Sequence, residues 1–172
     1  MKKRILSLDI SASSTGWSFF YNGSLEYGVI TTIAKHSTAK RLLEFRKALK
    51  KLLKRFKPTD IVVEDIFSSK NVNVFKLLAK FAGVAEELCK SFLDVEPCII
   101  HNNTVKSYYK VKKKTELFEF MLDIMEWPEE RFNFKKHNDI IDSIAQLFCY
   151  SDVVVNYIRF RQEKDYGYLY GV

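Results

Sequence analysis

Two short apolar runs, each ending on an acid, constrain the fold of this chain more than any other feature. Arg4-Ile-Leu-Ser-Leu-Asp9 opens it, and Asp60-Ile-Val-Val-Glu64 follows a long lysine-rich stretch. Each run is too short for a stable helix and reads as a buried strand. Between them, Trp17–Tyr21 and Leu25–Ile33 read as two further strands joined at Asn22-Gly23, a strong tight-hairpin signal. Ser11–Gly16 reads as a turn of small residues.

The rest of the chain completes an alternating pattern. Thr38–Phe56 carries Leu42, Phe45, Leu49, Leu52, Leu53 and Phe56 at helical spacing, and Pro58 ends it. Asn73–Leu93 reads as a second long helix, Pro97–Ile100 as a fifth short strand, and Asn103–Tyr109 and Lys114–Met125 as helical segments. A last helix is expected from Asn138 to about Tyr157, followed by an irregular or strand-forming ending. The order βββαβαβ then helices fits an α/β fold: a mixed five-stranded sheet with helices on both faces. Short right-handed crossovers place the first and fourth strands side by side. Residues 1–157 form one domain in this reading, and 158–172 form a basic, aromatic tail.

That arrangement brings acids together. Parallel neighbours would hold Asp9 and Glu64 at the carboxyl edge of the sheet, where open α/β sheets place their ligand sites. Asp139 and Asp142 stand three apart near the start of the last helix, on one face. Converging carboxylates repel unless cations compensate them. Hard divalent cations with oxygen ligands do so, and Mg²⁺ is the usual one. Taken singly, each acid is also explained as a strand end at solvent or a helix N-terminal acid favoured by the macrodipole; the set is what points to metal.

The charge balance supplies the partner. The chain of 172 residues has a net charge of +7. Lys35–Lys57 holds ten Lys or Arg against one acid, Glu44, and Lys106–Lys114 holds five lysines and no acid. A cationic rim around a carboxylate floor suits a phosphodiesterase acting on nucleic acid. Cys89, Cys98 and Cys149 lie far apart, so buried free thiols are expected rather than a zinc site or a disulfide frame. No apolar stretch approaches the length of a membrane span, and Asp9 interrupts any signal-peptide core. A cytoplasmic protein that touches no membrane is expected.

These motifs resemble the RuvC-type Holliday junction resolvases of the RNase H-like (retroviral-integrase) superfamily. Ile5–Trp17 is similar to the family's opening strand and Thr-Gly turn. Ile61–Asn71 resembles its segment with a catalytic glutamate, a phenylalanine three residues on, and a Lys-Asn pair. Thr104-Val105-Lys106 is similar to its Val-Lys element, and Asn138–Ala145 to its final acidic pair and last helix. The turn Ser107–Lys114 lacks the family's usual glycine, and this divergence is closer in style to phage and viral members. The resemblance implies a structure-selective, Mg-dependent endonuclease cutting Holliday junctions and other branched DNA, such as flaps and forks, by two-metal hydrolysis. It implies Asp9, Glu64, Asp139 and Asp142 as catalytic ligands of two Mg²⁺, with Mn²⁺ substituting. Phe67 would stack on a base at the crossover, and Lys70, Lys106 and one of Lys112, Lys113 or Lys114 would hold phosphates. A homodimer is implied, with the Asn73–Leu93 helix at its interface. His137, two residues before Asp139, is either a proton-transfer aid or a structural residue at a helix start. The alternatives are a catalytically weak branched-DNA-binding module, or an actin-like or sugar-kinase-fold ATP-binding protein, whose second phosphate turn is not found here.

Overall fold

Five strands pair in the order β3-β2-β1-β4-β5 in the computed structural model of the chain, which describes residues 3–66 and 71–167. The strands are β1 (Ile5–Asp9), β2 (Ser14–Tyr21), β3 (Ser24–Thr31), β4 (Asp60–Glu64) and β5 (Cys98–Ile100). β1 to β3 form an antiparallel meander, and β1, β4 and β5 run parallel. The expected mixed five-stranded sheet is therefore present. Its hairpin closes at Asn22 and Gly23, both with positive φ (52° and 82°), so the turn matches the strands' twist.

The helices are α1 (Thr38–Phe56), α2 (Val72–Leu93), α3 (Asn102–Tyr108), α4 (Lys114–Ile124) and α5 (Phe134–Gly167). α1 starts where the Ser37 side chain accepts from the Lys40 N–H and stops at left-handed Lys57 before Pro58. Asn71 caps α2 by accepting from the N–H groups of Asn73 and Val74. α5 starts earlier and runs further than the sequence suggests. Asn133 Oδ1 accepts from the Lys135 N–H at its start, and the ending expected to be irregular or strand-like continues as helix to Gly167. Arg, Gln, Glu and Lys, which fill that segment, are all good helix formers.

Strand alternation divides the core in two. Leu6, Leu8, Phe19, Ile61 and Val63 face α1 and α2, packing on Phe45, Leu49, Leu53, Phe81, Ala85 and Leu88. Ile5, Val62 and Ile100 face the other way, onto Val105 of α3, Leu117, Phe118 and Met121 of α4, and Ile141, Ile144 and Ala145 of α5. Cys89 and Cys149 are buried as expected, but Cys98 is exposed. It lies on the edge strand, where cover on either face is thin, as the neighbouring Ile99 (45% exposed) also records. All three thiols are free.

Candidate active site

The same alternation aims the acids. Asp9 shares a face with Ile5 and Ser7, and Glu64 shares one with Val62, so both point toward α5. β1 and β4 pair in register up to Leu8↔Val63, which leaves Asp9 and Glu64 as neighbours at the carboxyl edge. α5 delivers the other two. Asp9 pairs with Gly16 across the β1–β2 ladder, and a Cβ on Gly16 would lie 1.9 Å from the backbone oxygen of Asp139. No side chain fits between the strand and the helix backbone there. Gly16, expected in a turn, is therefore a strand residue whose task is close approach. Ser18 donates to the Ser143 backbone oxygen (2.9 Å), and Gln146 Nε2 reaches the Leu8 oxygen (3.4 Å), fastening α5 along β1 and β2.

Burial and crowding then act on the acids. Asp9 and Asp142 are 8% and 5% exposed. Burial raises the Asp9 carboxyl well above its usual range, and the Glu64 and Asp142 charges raise it further, with a hydrogen bond to Glu64 adding to them; Lys114 opposes the rise. Burial likewise lifts Asp142, to about 6, against the pull of Lys114. Burial lowers Lys114, but the attraction of Asp142, Asp9 and Glu64 outweighs it and pushes the ammonium up to about 12. Lys114 Nζ stands 2.5 Å from Asp142 Oδ2. This close, charge-assisted contact makes Lys114 the counter-ion and the donor of Asp142. Asp139 adds its charge to Asp142 from one turn away.

The lysines separate by position. Lys114 alone of the Lys112–Lys114 run reaches the carboxylates; Lys112 and Lys113 are exposed, with their backbone N–H groups held by Glu116 Oε2 at 2.9 and 3.1 Å. Lys106 lines a pocket of about 530 Å³ beside Glu64, with Asp65, Asn102 and Thr104. Phe67 and Lys70 lie outside the described residues. His137 Nδ1 accepts from the Asn133 N–H (2.8 Å) and its ring meets Phe132 edge-on, which is the structural role for a residue at a helix start.

The family model for crossover junction endodeoxyribonuclease RuvC matches residues 5–97, more than half of the chain and both strand-end acids. The chain belongs to the RuvC family. The crossover junction endodeoxyribonuclease RuvC of Ruminiclostridium cellulolyticum is 27% identical over 157 residues, covering 86% of this chain and 91% of its own length. Among solved structures, T. thermophilus RuvC in complex with Holliday junction substrate is similar with a TM-score of 0.72 and 14% identity, over 86% of this chain and 92% of that one. Fowlpox virus resolvase with substrate Holliday junction DNA gives 0.54 at 14% identity, over 88% and 98%. At such identities the structural likeness speaks for the fold, which is the expected RNase H-like one.

RuvC-family nucleases are metal-dependent. Among the described residues no three His, Cys, Asp or Glu side chains stand as a finished ligand cage; the carboxylates are turned toward one another and toward Lys114. The donor set nevertheless fits hard divalent cations. Asp9, Glu64 and Asp142, with Asp139 nearby, crowd one another, and burial and that crowding raise the Asp9 and Asp142 carboxyls. Among the described residues the acids answer to a single lysine, which leaves negative charge for a hard cation to compensate. Two residues of this site escape sequence reading as site residues. Gly16 carries a signal, the Thr-Gly pair, but no hint that α5 would rest on it. Asn102, whose Nδ2 donates to Glu64 Oε1 at 2.7 Å, carries none.

Proposed function

We propose that this chain is a metal-dependent DNA endonuclease that cuts Holliday junctions, and by the same chemistry flaps and forks, in DNA recombination and repair. The observation that carries this reading is the convergence of Asp9, Glu64 and Asp142 beside Lys114 at the carboxyl edge of a sheet whose family is RuvC. Two of the similar structures are described with Holliday junction DNA, which supports the choice of substrate.

Asp9, Glu64, Asp139 and Asp142 would hold two Mg²⁺, with Mn²⁺ able to substitute. Bound there, the cations would supply the positive charge and water activation that in-line phosphodiester hydrolysis needs. The chain's own residues do the rest. Held ionised by bound cations, the buried acids would form a carboxylate floor that repels the phosphate except at the cations. Lys114 sits where it can move from Asp142 toward the scissile phosphate and offset the charge that builds there. Lys106, at the rim beside Glu64, would hold an adjacent phosphate. Lys112 and Lys113 would contact the backbone further out, Lys70 would add another cation, and Phe67 would stack on a base at the opened crossover.

Two symmetric nicks require two sites, so the working unit is proposed as a homodimer. Val72, Val74 and Phe75 at the start of α2 are exposed apolar residues, which supports an interface there. No helix among the described residues is long and apolar enough to cross a membrane, which suits a cytoplasmic, DNA-bound role. The non-cutting and ATP-binding alternatives are not favoured, since the sequence keeps all four candidate acids and the family is a nuclease family.

A synthetic four-way junction incubated with the protein and Mg²⁺ tests the reading. Paired nicks placed symmetrically about the crossover are expected. Tight binding with no nicks under Mg²⁺ or Mn²⁺ would leave only a binding module.

A further inference from the structure

We infer that Asn102 is a positioning residue that fixes Glu64 in the orientation needed to bind a divalent cation. This rests on the proposed role of Glu64 as a ligand. Asn102 stands at the first position of α3, with His101 alone between it and the end of β5, and two cross-links hold that junction against the end of β4. The Asp65 N–H donates to the Ile100 oxygen at 2.8 Å, and His101 Nδ1 lies 2.9 Å from Asp65 Oδ2. β4 and β5 remain paired to Glu64↔Ile100. The Asn102 side chain is thus carried on a braced piece of backbone and its Nδ2 donates to Glu64 Oε1 at 2.7 Å.

The chemistry of that contact favours positioning over general stability. Glu64 is a half-buried side chain with several rotatable bonds, and its other neighbour in the site is Asp9, which hydrogen-bonds to it only while one of the two carboxyls keeps a proton and would repel it once both are ionised for metal. A neutral amide attracts the carboxylate without bringing a counter-charge that a cation would have to displace. A lysine in that place would compete with the metal, as Lys114 does at Asp142. The second observation concerns the other end of the amide. Asn102 Oδ1 is buried and accepts no hydrogen bond. Among the described residues the Asn102 side chain therefore spends its hydrogen bonding on Glu64 alone.

Mn²⁺ affinity, read from the electron paramagnetic resonance of free Mn²⁺ in the absence of DNA, tests the inference without relying on cleavage. Asn102→Ala should weaken Mn²⁺ binding by about 10- to 100-fold, the usual effect of removing a group that orients a metal ligand, with the melting temperature of the metal-free protein unchanged. In a Glu64→Gln background the same substitution should cost nothing further, because its effect passes through Glu64. Asn102→Ser, well tolerated near a helix start and too short to reach Glu64, repeats the measurement if the alanine variant folds poorly. Wild-type Mn²⁺ affinity in the folded Asn102 variant, or an undiminished loss in the Glu64→Gln background, overturns the positioning role. Wild-type affinity in Glu64→Gln alone overturns the ligand assignment and with it this inference, a pattern distinct from either of those.

Discussion

The two faces of the sheet are built from different materials. Toward α1 and α2 the interior is large and apolar: Leu6, Leu8, Phe19, Ile61 and Val63 meet Phe45, Leu49, Leu53, Phe81 and Leu88. Toward α5 an apolar core under α3 and α4 gives way, along β1 and β2, to small and polar residues. Ser7, Asp9, Ser18, Asp142, Ser143 and Gln146 are all buried there, and of the buried polar residues only Thr15 lies on the other side. A face packed with leucine and phenylalanine keeps helix and sheet apart by the width of those side chains. Aspartate is too short to bridge such a gap. Glycine and serine let the α5 backbone rest on the strands, and only then can carboxylates from a helix and from two strands converge. Both faces supply stability, at about 1.5–3 kcal/mol per fully buried large apolar side chain, and the α1–α2 face does so throughout. The other gives up part of that gain to hold charges where water is scarce.

The contrast breaks most visibly at Asp9. Asp9→Asn should cut junction cleavage on the order of 10³-fold or more, about 4 kcal/mol of transition-state stabilisation, because it removes a proposed ligand. It should also raise the melting temperature of the metal-free protein at pH 8, since it relieves a buried charge crowded by Glu64 and Asp142. A variant that cuts normally under Mg²⁺ would falsify the site. Phe45→Ala tests the other face. Phe45 is wholly buried against Phe81, so truncation should cost about 3–5 kcal/mol and lower the melting temperature by roughly 6–20 °C. Cleavage per folded molecule, measured well below that melting point, should be unchanged. If it falls with stability, the two faces are not separable.

Gly16→Ala probes the boundary between them. The added methyl meets the Asp139 backbone, so α5 must shift outward. Overpacking of this kind costs about 1–3 kcal/mol, and cleavage should drop much further than that stability loss explains. Full activity at reduced stability would mean that the spacing of α5 from the sheet does not govern the site.

A pH series gives a smaller effect. Asp142 sits at about 6 when folded, against roughly 3.9 for an ordinary aspartate, and Asp9 is shifted the same way. Their protonated forms favour the fold, so without metal the stability they contribute is greatest below about pH 4. It should decline as pH rises from about 4 through about 6, by about 3 kcal/mol for a shift of that size at Asp142. Denaturation midpoints from pH 4 to pH 8 should show the decline, and Asp142→Asn should flatten it. Added Mg²⁺ should reverse it, because the ionised carboxylates are the form that binds metal. The smallest change belongs to the rim. Replacing Lys112 and Lys113 with alanine should leave melting unchanged and reduce the salt dependence of junction binding by a log–log slope of roughly 1–2. No change in slope would confine phosphate contact to Lys106, Lys114 and the α1 lysines.

Much of the fold was legible in the chain because local physics determines it. Short β-branched runs, Asn22-Gly23 and the apolar stripe of Thr38–Phe56 leave little choice of period or turn. The alternation that sends Leu8 to one face and Asp9 to the other is a property of any strand. Given parallel β1 and β4, Asp9 and Glu64 were bound to meet. Which lysine joins them was not legible. Lys112, Lys113 and Lys114 are equivalent as letters, and only the start of α4, where Glu116 takes the first two backbone N–H groups, turns the third toward Asp142. The exposure of Cys98 followed from its place on an edge strand, which depends on the final strand order. Asn102 was invisible for the same reason: its meaning lies in a contact across 38 residues of chain.

By itself the sequence determined the strands, the hairpin, the main helices and the presence of four acids on a basic chain, because these are set by near-neighbour periodicity and composition. Only the tertiary structure decided how closely α5 lies on β2 at Gly16, which lysine faces the carboxylates and which amide holds Glu64. Those are distances between segments remote in sequence, and they are settled by how side-chain volumes fill the space between the sheet and its helices.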